Sequence, residues 1–198
     1  MRAYNQLLVF CLSVIGQPDD AWPTVVRGDS TSLKPFLPSG RVGRNDEAKG
    51  ETLEATLREI TMDNFRECIE LSVADEQKGF VASNTYSLAE AKADGVSVPL
   101  AIYSGEQMVG FIMYDFEPKE DRGYITRLMV DAHFQGNGHG RCAMQQVIDR
   151  LKQIPACKEI QTSFAPDNRT ADGLYTSLGF DRTGEVDEGE IVLRLRVR

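Results

Sequence analysis

The sequence predicts an α/β (α+β) domain built on a sheet of mixed direction, and three observations carry that prediction. Three strand patterns follow one another between residues 98 and 130, the first two joined by a short Ser-Gly turn, which makes a hairpin meander. A glycine-rich loop and an amphipathic helix then lead to a further strand pattern, so a β-α-β crossover follows the meander. A regular doubly wound chain alternates strand and helix throughout, and this one does not.

Each element has its own signal. "TLREI" (56–60) alternates as a strand, and "TMDNFRECIELS" places Phe65, Cys68, Ile69 and Leu71 at helical spacing behind a capping Thr61. "SNTYSLAEAKADG" reads as a second helix closed by Gly95. "VPLAIYSGEQMVGFIMYDF" gives strands over 98–103 and 107–116, and after the polar loop "EPKEDR" the stretch "GYITRLMV" gives a third over 123–130. In "GRCAMQQVIDRLKQI" the residues Ala143, Met144, Val147, Ile148 and Leu151 share one helical face. "KEIQTSFA" is a strand, "DNRTADGLYTSLGF" a short helix stopped by Gly179, and "GEIVLRLRV" a last alternating strand.

The 198 residues suit one domain with an extension. Residues 1–54 differ from the rest: the apolar run "LLVFCLSVIG" (7–16) stands behind a single Arg2 and is followed by a stretch rich in Pro, Gly, Ser and charge. The run is too short to span a bilayer, and Gly16 is a poor cleavage signal. These residues are expected to form a disordered or loosely docked N-terminal extension, with the domain proper over 55–198 and the protein cytoplasmic, without a membrane partner. A formal charge of −8 works against a nucleic-acid partner and is compatible with a cationic ligand. Cys11, Cys68, Cys142 and Cys157 form no C-x-x-C pair, and His133 and His139 are the two histidines, so neither a metal site nor a disulfide framework is expected. Cys142 falls on the core side of its helix pattern, where an inert thiol is the commoner reading.

"FQGNGHGRCAMQQVIDRL" (134–151) opens its helix with Gly136, Gly138 and Gly140. Dense glycines allow close backbone approach, and a helix N-terminus adds unpaired N–H groups and a positive dipole end, so the stretch predicts an anion site. A Walker loop needs Lys followed by Ser or Thr after the glycines, and neither is present. A dinucleotide fingerprint is met in relaxed form by Gly138-x-Gly140-x-x-Ala143, with Glu159 downstream. However, seven residues separate Val130 from Gly138, and Glu159 begins its strand rather than ending it. The third pattern is Gln135-x-x-Gly138-x-Gly140 after a strand ending in "LMV".

That third pattern resembles the acyl-CoA loop of the GNAT superfamily of N-acetyltransferases. The resemblance covers about residues 56–198: "TLREIT", "DEQKGFVASN", "PLAIYSGEQMVGFIMYDF", "YITRLMVDAHFQGNGHGRCAMQQVIDRLK" and "PDNRTADGLYTSLGF" look like the bacterial spermine/spermidine acetyltransferase branch. It implies a mixed, mostly antiparallel central sheet with helices on both faces, and acetyl-CoA as acetyl donor with no metal. It further implies that backbone groups of Leu128, Met129 and Val130 hold the pantetheine arm and acetyl carbonyl. Backbone N–H groups from Gln135 through Gly136, Asn137, Gly138, His139 and Gly140 to Arg141 would receive the pyrophosphate. Asn168 matches the asparagine that touches the pantetheine from the far side. Tyr175 matches the tyrosine that gives a proton to the departing thiolate, although spacing alone makes it a packing residue beside Leu174, Leu178 and Phe180.

The resemblance implies direct transfer to a primary amine in a ternary complex, with the carbonyl oxygen held by the Val130 N–H, a small-molecule polyamine as acceptor, and room for a homodimer. Some relatives carry a glutamate base on the strand before the loop, where this chain has Thr126 and Arg127. Glu76, Asp115 and Glu117 are the acids considered for holding a polycation. Two readings stay open beside this one: an acetyltransferase for another amine, and an acyl-CoA sensor without turnover.

Overall fold

The computed structural model describes residues 55–197. The expected extension over 1–54 lies outside them.

A seven-stranded sheet has the order β1-β2-β3-β4-β5-β7-β6. Its strands are β1 (Ala55–Glu59), β2 (Val98–Ser104), β3 (Gln107–Glu117), β4 (Arg122–Val130), β5 (Glu159–Phe164), β6 (Asp181–Asp187) and β7 (Glu190–Arg196). Every neighbouring pair is antiparallel except β4 and β5, which run parallel across the helix α3 (His139–Lys152). The mixed sheet and the single crossover are as the sequence predicts.

Strand alternation divides the core in two. Leu100, Ile102, Val109, Ile112 and Ile125 face the apolar stripe of α3, where Ala143, Met144, Val147, Ile148 and Leu151 are all buried. The helix α4 (Arg169–Ser177) shares that side through Leu174 and Tyr175. Ala101, Tyr103, Phe111, Met113 and Met129 face the other way, packed with Cys68 of α1 (Phe65–Glu70) and Ala91 of α2 (Asn84–Asp94). Helices therefore cover both faces, each because a period-2 strand offers a second apolar set to a helix stripe.

Two elements depart from the sequence reading. The first helix is only one and a half turns long, because Thr61 serves the turn before it: its Oγ1 accepts from the Asp63 N–H (3.3 Å) while Asn64 Oδ1 accepts from the Thr61 N–H (2.8 Å). The edge strand β6 has no counterpart in the sequence reading. "DRTGEVD" is almost wholly exposed, pairs with β7 only at its two ends and carries no apolar alternation to mark it.

Candidate active site

The site grows from a divergence between the two parallel strands. β4 and β5 pair only through Arg122–Tyr124 and Glu159–Gln161, although β4 continues to Val130 and β5 to Phe164. Just beyond the last pair, the Thr162 hydroxyl donates to Ile125 O (3.0 Å) and closes the vertex of the split.

Past the vertex, β4 has one partner and one open edge. The Asp131 N–H donates to Val109 O (2.9 Å), and in the register that follows Met129 lies opposite Phe111 and Arg127 opposite Met113. An antiparallel ladder bonds alternate pairs, so Met129 and Arg127 spend their backbone groups on β3 while those of Leu128 and Val130 point to the open edge. Val130 O accepts from Gln135 Nε2 (2.9 Å), which leaves two N–H groups and the Leu128 carbonyl aimed into the split.

The glycine loop carries the chain from this edge into α3. Gly136 and Gly138 both hold φ at +80°, a backbone that other residues adopt only with strain. The third, Gly140, sits in the helix, and a Cβ there would lie 3.5 Å from Val130 Cγ2, 3.8 Å from Leu128 Cδ2 and 4.0 Å from Leu174 Cδ2. The start of α3 is therefore set directly against the open edge of β4. The Cys142 N–H is the first to be satisfied within the helix, by Gly138 O (3.1 Å), so His139, Gly140 and Arg141 present N–H groups with no helical acceptor. A peptide-like edge followed by a helix N-terminus is a donor set that suits an extended amide-bearing arm ending in a pyrophosphate.

The comparisons with known proteins decide which family this is. The model of the acetyltransferase (GNAT) family matches residues 55–180. The chain belongs to the GNAT acetyltransferase family. It is 30% identical over 148 residues to a spermine/spermidine N(1)-acetyltransferase of Bacillus subtilis (strain 168), covering 71% of this chain and 97% of that protein. A probable spermine N(1)-acetyltransferase of Bacillus subtilis subsp. natto (strain BEST195) matches with the same identity and coverage. Among solved structures, spermidine N-acetyltransferase from Vibrio cholerae, in complex with CoA and spermine, has a TM-score of 0.58 at 16% identity, over 71% of this chain and 92% of that one. The GNAT protein described here is an acetyl-CoA-dependent N-acetyltransferase on the strength of its family.

Within this GNAT domain Tyr175 lies on the vertex side of the split. Its ring packs against Phe164 (centroids 6.2 Å apart, edge-on) and Phe180 (6.1 Å), so the packing role read from spacing is real. Its hydroxyl interacts with the side chain of Thr162, the residue whose own hydroxyl donates to Ile125 O at the vertex. Burial pushes the Tyr175 hydroxyl up to about 12; the Thr162 hydrogen bond pulls it down and the Glu190 charge adds to the rise. Asn168 caps α4 by accepting from the Ala171 N–H through Oδ1 (3.1 Å), which leaves its amide nitrogen to donate elsewhere.

Gln135 and Asn137 use their side chains within the loop: Asn137 Nδ2 donates to Phe134 O (3.1 Å), and the Gln135 amide is paired with that of Gln77. His139 is buried at the start of α3, and Arg141 Nη2 donates to Ser177 Oγ (2.6 Å) at the end of α4. Cys142 Sγ is turned to Ala55 O (3.7 Å), on the β1 side of α3. Among the described residues no group of three or more His, Cys, Asp and Glu gathers in metal-binding geometry, and no helix is long and apolar enough to cross a membrane.

The three acids are not brought together. Glu76 is exposed in the segment between α1 and α2, next to the Gln77 that contacts the loop. Asp115 is buried opposite Tyr124, and Glu117 ends β3 with its carboxylate accepting the Lys119 N–H (3.1 Å). At about 3.4 Å per residue, Asp115 lies roughly 17 Å along β3 from Gly110, the residue opposite Val130. Sequence reasoning missed Gly110, Thr162, Asp131 and Gln77. Of these Gly110 carried a signal, since a glycine inside the strand "MVGFIM" marks close backbone approach.

Proposed function

We propose that this GNAT protein transfers the acetyl group of acetyl-CoA to a primary amine of a polyamine, spermidine or spermine, by direct attack within a ternary complex. The open β4 edge ending at a helix N-terminus, with the Tyr175 hydroxyl at the vertex beside it, carries the transfer chemistry. The substrate class rests on the relatives named for spermine and spermidine and on a chain of charge −8, which attracts a polycation. A small-molecule acceptor and a cytoplasmic location belong to the same reading.

The Leu128 and Val130 N–H groups donate to the acyl arm, and one of them holds the carbonyl oxygen as negative charge develops on it. Register favours Leu128 over the Val130 expected from sequence, because Leu128 is two residues nearer Ile125, where Thr162 and Tyr175 meet the strand. The N–H groups of Gly138 to Arg141 hold the pyrophosphate, and the Asn168 amide nitrogen donates across the split. Tyr175 remains protonated throughout the neutral range. A phenol near 12 is a weaker acid than an ordinary thiol, about 8.5, so Tyr175 keeps its proton and donates a hydrogen bond to the departing sulfur as the C–N bond forms and the C–S bond breaks, and the proton shed by the attacking nitrogen passes to solvent. The amine, with a pKa of about 10.4, must reach the site neutral, and Thr126 supplies no base. Glu76, at the mouth of the loop, is the acid best placed to hold the acceptor's second charge; Asp115 and Glu117 lie along the far half of β3.

Thiol release from acetyl-CoA across an amine panel tests this reading. Release with spermidine or spermine supports it, release only with other amines transfers the activity to those, and CoA binding without release makes the protein a sensor.

A further inference from the structure

Two clasps join the chain after β4 to the segment between α1 and α2. In the first, the buried Asp131 carboxylate accepts from the Ser72 N–H through Oδ2 (2.9 Å), and the Ala132 N–H returns a bond to Ser72 O (2.9 Å). In the second, the amides of Gln77 and Gln135 face each other: Gln135 Nε2 donates to Gln77 Oε1 (2.7 Å), and Gln77 Nε2 donates to Gln135 Oε1 (3.1 Å). Each amide also reaches its own side. Gln135 Nε2 donates to Val130 O (2.9 Å), and Gln77 Oε1 accepts from the Ala74 N–H (3.2 Å).

We infer that Gln77 is a positioning residue for the acceptor: through Gln135 it sets the segment 72–77, and Glu76 with it, against the end of the strand that presents the acyl group. The inference rests on the amine-acetyltransferase reading above. The Gln135 side chain is occupied by this brace, so its part in holding the pyrophosphate is confined to its backbone. Val130 contributes its carbonyl to the brace and its N–H to the split, which makes one peptide strand the common reference for donor and acceptor. Loss of the brace leaves the segment held at Ser72 alone, so that its Gln77 end can shift, and removes no group that touches the acyl arm. Both Gln77→Ala and Gln77→Met delete the hydrogen bonds, and Met keeps the length of the side chain.

Steady-state kinetics with acetyl-CoA and the best amine of the panel, together with calorimetric CoA binding, test the inference. In both variants the amine KM should rise about tenfold, an effect on the order of one charge-free hydrogen-bond network, while the CoA Kd stays within about twofold. A KM restored by Met would make the role one of packing. An unchanged KM in both variants, or an equal loss of CoA affinity, overturns the inference. Absence of turnover in the unsubstituted protein with every amine removes the acetyltransferase reading, and the inference with it; turnover lost only in the variants does not touch that reading.

Discussion

Substitution of Gly110 by alanine perturbs the site from the strand behind it. Gly110 lies opposite Val130, and a Cβ built on it would sit 2.5 Å from Met129 O, 3.1 Å from Ile102 Cδ1 and 3.2 Å from Val130 Cα. The nearest of these is a backbone oxygen on the paired strand, which cannot rotate aside. Restoring an ordinary contact of roughly 3.4 Å requires β3 and β4 to part by about 0.9 Å at the residues that present the open edge. Overpacking of this kind costs about 1–3 kcal/mol, and at about 2–4 °C per kcal/mol the melting temperature should fall by about 2–12 °C. The same displacement moves the N–H groups of Leu128 and Val130, and a misplacement near 1 Å lowers catalytic rate by about a hundredfold. Thermal melts and thiol-release kinetics at a temperature where the variant remains folded measure the two effects separately. A Gly110→Ala protein with unchanged melting temperature and kcat would refute the close-approach argument and the placement of the acyl carbonyl on this stretch of β4.

Three further outcomes follow from the site. Tyr175→Phe should lower kcat by about 10²- to 10⁴-fold with little change in CoA affinity, as expected for loss of the hydrogen-bond donor to the departing sulfur; unchanged kcat removes Tyr175 from the chemistry. Gly138→Ala places a Cβ on a backbone at φ +80°, so CoA affinity should weaken by about tenfold with a strain of about 1–2 kcal/mol, read by calorimetry and thermal melting. Asp131 concerns pH: burial pushes its carboxyl up, but the N–H groups of Ser72 and His133 and the His133 ring outweigh it and hold it below the ordinary range. A depressed folded pKa contributes stability that is complete above the unfolded value and is lost as pH falls through the folded one. Melting temperature should therefore decline on acidification more steeply in the unsubstituted protein than in Asp131→Asn, and parallel curves would show that Asp131 contributes no such linkage.

Much of this molecule is legible in its letters, and the limits have physical reasons. The stripe of α3 from Ala143 to Leu151 and the continuous apolar runs of β2 and β3 record burial, the first on one helical face and the others on both faces of the sheet, and the sequence pattern reports both. The turns at Gly136 and Gly138 are equally visible, since positive φ selects glycine. The edge strand β6 is hidden because it buries almost nothing and is held by backbone bonds at its ends. The open edge of β4 is hidden for a different reason: which residues of "LMV" face the split depends on the parity of pairing with β3, set by a bond between Asp131 and Val109. The Gln77–Gln135 brace joins positions 58 residues apart through two amides, a residue type common on any surface.

The divergence of β4 from β5 leaves a sheet whose hydrogen-bond ladder is incomplete in its interior, at a position where the usual completion is another strand. A ligand that lies along that edge then serves as a missing length of backbone, and its affinity becomes folding free energy. Occupancy at about one hundred times Kd adds about 2.7 kcal/mol to stability through mass action alone. Resistance of this protein to heat or proteolysis thus becomes a gauge of how much CoA ligand, acylated or free, surrounds it.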